Sequence, residues 1–198
     1  YACHLFLSES GYFKKITPQS LRMASDHKLK DGDFISQQFE STNKAELLFF
    51  TDNATVYKTK ASQFDDTKAS AYGDYGPAKL NFESDENVKS MVVTKDYSGY
   101  MIFVYENGKV AKVPLKAYET KTNRKKLANA YSSKSKLISI FHIEDNAQLM
   151  LRSTNGRAIV FDTALLMPKA SRDTIGVQAM TLKAKSDVEK AFVIDGET

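Results

Sequence analysis

Lysine recurs at one place in a repeated pattern. Four residues beyond a tight turn stand Lys15, Lys58 and Lys112, with Val160 in a fourth copy. Lys14, Lys60, Lys109, Lys116 and Arg157 flank them on the same segments. Cations at such intervals suit one kind of chemistry: they pair with a line of phosphates and gain by releasing condensed counterions. A denser group follows in "KTNRKKLANAYSSKSK", where Lys121, Arg124, Lys125, Lys126, Lys134 and Lys136 put six cations within sixteen residues. The net charge is only +4, but residues 86–140 hold eleven Lys and Arg against four carboxylates, while the rest of the chain is slightly acidic. A basic zone on a near-neutral scaffold suits a polyanion. The plainer reading is that outward-facing strands and a solvated loop collect lysine for solubility.

Other chemistries lack their residues. His4, His27 and His142 have no ligand-like spacing to one another or to Cys3, which speaks against zinc. "KDGDF" (30–34) has two carboxylates about Gly32 but not the later ligands of a calcium loop, and reads as a turn. Asp65 and Asp66 are adjacent, so in a strand they point to opposite faces and make a poor acid–base pair. The chain has no nucleophile elbow, Walker A loop or dinucleotide fingerprint. Tyr72 and Tyr75 in "SAYGDYGP" could stack on bases, although packing explains them as well. No catalysis and no cofactor are expected of this segment.

The elements that must position these cations are strands. The 198 residues are 42% apolar and 26% charged, the balance of a globular domain, and the single cysteine permits no internal disulfide. No apolar run is long enough to span a bilayer and nothing marks the chain for secretion, so a reducing, cytoplasmic setting is expected. The chain starts at Tyr1 rather than Met, which reads as a segment of something longer.

Four segments align on a turn: 4–18 at Gly11, 46–60 at Ala54, 101–115 at Gly108 and 149–163 at Gly156. The spacings of 43, 54 and 48 residues are those of a propeller blade of about four strands. Each first arm is a short apolar run, such as Leu47-Leu48-Phe49-Phe50 or Met101-Ile102-Phe103-Val104, the mark of a strand covered on both faces. Asn107-Gly108 and Asn155-Gly156 predict type I′ hairpins. Ala54 in a left-handed conformation would cost about 1–2 kcal/mol, so the second turn is expected to differ in type.

Ten residues beyond each turn position comes a large apolar residue: Leu21, Phe64, Tyr118 and Leu166. A further strand follows in the last three units, at 87–94, 134–143 and 187–194. A strand of this kind is missing before Tyr1 and present at the end of the chain. The pattern therefore predicts a single domain over 1–198 in which 187–194 closes onto the first blade, or else an open arc.

These repeats resemble a family: the C-terminal domain of the A subunit of bacterial type IIA topoisomerases, DNA gyrase and topoisomerase IV. "ENGKVAKVPLKAY" (106–118) and "STNGRAIVFDTALL" (153–166) are similar to its blade consensus, as is "LLFFTDNATVYKTKASQF" (47–64) with Ala54 for the usual glycine. "SRDTIGVQAMTL" (171–182), with Arg172, resembles its Arg-x-x-x-Gly-Val segment between blades. The resemblance implies an all-β fold, a β-propeller or β-pinwheel of about four blades, closed or arc-shaped. It also implies a non-catalytic domain that binds and bends double-stranded DNA through the phosphate backbone, without reading sequence. Its protein partners would be the B subunit together with the rest of the A subunit. ATP and Mg would be used elsewhere in the parent enzyme, in the bacterial cytoplasm at the nucleoid and with no membrane.

Arg172 joins the lysines and arginines above as an expected DNA contact. The gyrase-type glycine-rich basic box is absent and four blades are counted rather than six. Both features make the likeness closer to topoisomerase IV, without wrapping. The alternative is a propeller serving as a protein–protein interaction module.

Overall fold

The computed structural model describes residues 1–122 and 124–194; Asn123, within the basic run, lies outside the described residues. These residues form two compact units, one of residues 1–95 with 124–127, the other of the remainder. In chain order the strands are β1 (Ala2–Ser8), β2 (Tyr12–Ile16), β3 (Ile35–Thr42), β4 (Glu46–Thr51), β5 (Val56–Lys60), β6 (Asp74–Tyr75), β7 (Val88–Thr94) and β8 (Tyr100–Tyr105). They continue with β9 (Lys109–Pro114), β10 (Lys126–Leu127), β11 (Leu137–Ile143), β12 (Gln148–Ser153), β13 (Ala158–Asp162), β14 (Val177–Gln178) and β15 (Val188–Ile194). Besides short 3-10 turns there are two brief helices, α1 (Pro18–Met23) and α2 (Gly76–Lys79). In α1, Thr17 caps the first turn by accepting from the Ser20 amide, and Pro18 supplies a preset φ.

The fold is nearly all-β and of the propeller class, with four antiparallel blades, two in each unit. The first unit holds the sheets β3-β1-β2-β6 and β10-β5-β4-β7, the second the sheets β11-β8-β9-β14 and β13-β12-β15. All four expected hairpins form. Leu47–Phe50 and Met101–Val104 have no exposed surface, so these first arms are covered on both faces. In the first unit Leu5, Leu7, Phe13, Leu47, Phe49 and Phe64 share one core; in the second Ile102, Val104, Leu149, Leu151 and Leu166 share another.

Three expectations need correction. The strand 188–194 does not close onto the first blade: it pairs with its own hairpin through Leu149↔Val193 and Leu151↔Ala191. The place beside β1 is filled by β3, with Leu5↔Phe39. "ISQQFEST" has no apolar run, because only alternate residues touch the core, and its polarity hid it. The turns are not type I′. Gly108 and Gly156 have φ near +85°, whereas Asn107 and Asn155 are not left-handed. Instead Gly108 N–H donates to Tyr105 O and Gly156 N–H to Ser153 O, the three-residue loop that ends in one left-handed residue. The second turn does not differ, since Ala54 takes φ +51° at the glycine position.

A two-residue strand completes three of the blades, and each is donated by the segment after the next hairpin: β6 to β2, β10 to β5 and β14 to β9. Gly176 fits this crossing because a Cβ there would lie 2.3 Å from Val110 O. Arg172 Nη1 donates to Ala117 O at 2.7 Å from the same segment. The fourth blade has three strands among the described residues.

Candidate nucleic-acid interface

The hairpin lysines divide by burial. β2 is covered nearly end to end, and Lys14 and Lys15 are 1% and 2% exposed; Lys112 in β9 is 4% exposed. These three cannot meet a phosphate line, and the structure corrects their expected role. Their ammonium groups are held by the protein instead. Lys15 Nζ donates to Asn43 Oδ1 at 2.6 Å and Ala61 O at 3.0 Å, with Asp66 at 3.7 Å. Lys112 Nζ donates to Asn146 Oδ1 at 2.7 Å and Thr163 O at 3.0 Å, and lies over the Tyr100 ring.

The two sites are one motif used twice. A lysine four residues past a turn reaches the Asn just before the next hairpin and the carbonyl that opens the 3-10 turn just after it. Burial lowers the Lys112 pKa, opposed by Asp162. Lys14 Nζ lies 3.1 Å from His27 Nδ1 and donates to Lys28 O and Ala69 O. Burial lowers its pKa too, while burial and then the Lys14 charge hold His27 below the usual imidazole range. A buried ammonium needs such acceptors, and here the backbone supplies most of them.

Other expected contacts face outward. Lys60, Lys116, Lys121, Arg124, Lys125, Lys126, Lys134, Lys136 and Arg157 are exposed, and Lys58, Lys109 and Arg172 are half-buried. Lys116 pairs with Glu119 at 3.4 Å, and Lys126 with Glu83 at 3.1 Å, its ammonium over the Tyr57 ring of β5. Such exposed pairs are weak enough to exchange for phosphate. Arg157 Nη1 donates to Thr181 O at 3.1 Å. The basic run is split: 124–126 belongs to the first unit, and Lys121, Lys134 and Lys136 to the second.

One cluster escaped the sequence reading. Lys28 and Lys30 sit 4.7 and 4.3 Å from the Tyr72 ring centre, and Tyr12 lies against both Tyr72 and Tyr75. The loop of "DHKLKDGD" shows no periodicity, and its link to Tyr72 spans more than forty residues. The tyrosines pack on one another, with Tyr75 still 42% exposed.

With this geometry in place, comparison with known proteins bears out the resemblance to the C-terminal domains of topoisomerase A subunits. The family model described as the DNA gyrase C-terminal domain, a β-propeller, matches residues 45–71 and 147–195, the second and fourth hairpins with the segments after them. The A subunit of DNA gyrase from Streptomyces coelicolor is 29% identical over 97% of this chain and 24% of its own length. The A subunit of DNA topoisomerase 4 from Bacillus subtilis is 23% identical over 98% of this chain and 24% of its own.

Among solved structures, the C-terminal domain of DNA topoisomerase IV superposes with a TM-score of 0.85 at 23% identity, covering 100% of this chain and 62% of that one. The E. coli ParC C-terminal domain gives 0.74 at 13%, covering 98% and 79%. These two likenesses establish the fold. The chain spans about a quarter of the length of the curated relatives.

Proposed function

We propose that this chain is the non-catalytic, duplex-binding and duplex-bending C-terminal domain of an ATP-dependent type II topoisomerase A subunit. It holds a DNA segment for strand passage by a cleavage core carried elsewhere, in the non-wrapping manner of a topoisomerase IV. ATP and Mg belong to the parent enzyme. The B subunit is a protein partner of this domain, as is the rest of the A subunit, in the cytoplasm at the nucleoid.

The observation that carries the DNA reading is exposure within 86–140. Of its eleven cations, nine are exposed, Lys109 is half-buried, and only Lys112 is buried. A surplus of that kind, free to move to phosphate, favours any duplex and specifies no base. The protein-interaction reading finds support in apolar side chains left outside in the second unit, Leu165 at 77% and Met167 at 74% exposed.

Anisotropy of a labelled duplex against NaCl separates the two. The affinity of a DNA-binding domain falls log-linearly with salt, and Lys125→Glu with Lys126→Glu weakens it further. Binding that ignores salt, or is absent at low salt, rejects the proposal.

A further inference from the structure

The segment between α1 and β3 has no regular secondary structure over residues 24–30, yet it lies against the first blade. From Arg22 to Lys28 every residue is exposed except His27. The His27 ring meets Phe6 of β1 edge-on, 4.5 Å between centroids, beside the small apolar cluster of Phe6, Ile16 and Ala69. Its Nδ1 lies 3.1 Å from the Lys14 ammonium of β2. Lys28 continues the attachment: its N–H donates to Ala69 O at 2.8 Å, and its carbonyl accepts from Lys14 Nζ at 3.0 Å. All of these groups belong to the first unit.

An ammonium has three N–H donors and no lone pair. Lys14 directs them to Lys28 O, Ala69 O and His27 Nδ1, so Nδ1 must accept. The imidazole is therefore neutral, with its proton on Nε2. The opposite assignment puts the charge on the ring and a free amine on the lysine, against an ordinary gap of about four pKa units in lysine's favour.

A second positive charge would find no counterion here. Among the described residues neither Lys14 nor His27 makes an ion pair. Asp33 is the carboxylate whose charge favours the Lys14 ammonium, but its Oδ1 already accepts from the Ser10 and Phe34 amides. In the same segment Lys28 and Lys30 turn their ammonium groups to the Tyr72 ring. On β2 Lys15 faces Asn43 and Ala61 O, and on β1 His4 stacks on Phe6. Asp66 accepts from the Tyr1 hydroxyl, while Arg22, Asp26, Asp31, Glu40 and Lys68 are exposed.

We propose that Lys14 and His27 form an acid-released clasp: the neutral imidazole seats residues 26–30 on the first blade, and its protonation frees them. A proton on Nδ1 removes the acceptor and sets two cations 3.1 Å apart. Release takes Lys28 and Lys30 off the Tyr72 ring and opens the apolar cluster beneath His27 to water. The seated segment binds the proton less tightly than the released one. Seating is therefore at full strength above the ordinary imidazole value, about pH 6.5, and weakens as pH falls below it. The clasp needs no DNA and does not rest on the duplex reading.

The test uses the ¹⁵N-labelled 198-residue chain between pH 7.5 and 5.5. Long-range ¹H–¹⁵N spectra of the imidazoles should show His27 as the Nε2–H tautomer at the upper end, titrating with a midpoint below about 6.5. Below that pH the Lys28 amide should lose protection against solvent exchange, by up to about tenfold per pH unit. His27→Gln keeps a carbonyl acceptor that does not titrate, and its Lys28 protection should stay level through the range. Loss of that protection at every pH in His27→Gln would also support the clasp, because it identifies the imidazole as what holds the segment. An Nδ1–H tautomer, or a midpoint at or above about 6.5, overturns the proposal. So does a Lys28 amide whose protection ignores pH in the unsubstituted chain, or falls with pH to the same extent in His27→Gln.

Discussion

Lys15 and Lys112 show how a charged residue at a periodic position can serve the interior. On β9 four consecutive residues, Val110 to Val113, are buried, so alternation no longer assigns one face to water. The ammonium then works as a clamp, fastening one hairpin to both ends of the next through Asn146 before it and the Thr163 carbonyl after it. Lys112→Met keeps the length and removes the donor, leaving Thr163 O without its ammonium partner. We expect a loss of about 1–3 kcal/mol in urea unfolding. The salt slope of duplex binding should stay unchanged, whereas a phosphate-contacting lysine would lower it by about 1. The sequence does hold a clue to this role. The pair Lys14-Lys15 lies between Phe13 and Ile16, Lys112 lies between Ala111 and Val113, and the Asn partner of Lys15 or Lys112 stands just before the next hairpin. Recognising the clue requires knowing that the second arm is an interior strand.

At the scale of the element, the hairpins were legible because their signals are local: an apolar arm, a turn, a second arm. The donated strands were not. β6, β10 and β14 have two residues each, too few for any periodicity, and each joins a hairpin earlier than the one it follows. β3 was missed for its polarity, and β15 was misassigned because nothing local says which first arm it will pair with. The turns yield a quantitative expectation. All four place one residue in the left-handed region, and in the second it is Ala54 at φ +51°. Removing its Cβ relieves about 1–2 kcal/mol of strain and returns part of that as glycine's unfolded-state entropy. Ala54→Gly should therefore stabilise the chain by about 0.5–1 kcal/mol, read as a higher urea midpoint at unchanged slope. In the third turn the site is also crowded: a Cβ on Gly108 would lie 2.3 Å from Met180 O. No such neighbour stands near Gly156.

For the whole molecule the decisive quantity is where the surplus charge sits. Seventeen Lys and Arg outside 86–140 face twenty carboxylates, so that stretch alone makes the chain basic. Its exposed cations occur in both units, Arg124–Lys126 in the first and Lys121, Lys134 and Lys136 in the second. Contacts of this type fix a duplex by its phosphates, which carry no base information. Two duplexes of equal length and unrelated sequence should thus bind with affinities that agree to within about twofold. Bending makes a separate demand. Curving 20–30 base pairs by 40–90° costs on the order of 1–6 kcal/mol, which a prebent duplex has already met. If the domain bends its DNA, a small circle should displace labelled linear duplex at lower concentration than linear DNA of the same sequence does. Equal displacement would leave phosphate binding in place and remove bending from the proposed function, because a protein that accepts straight DNA gains nothing from curvature supplied in advance.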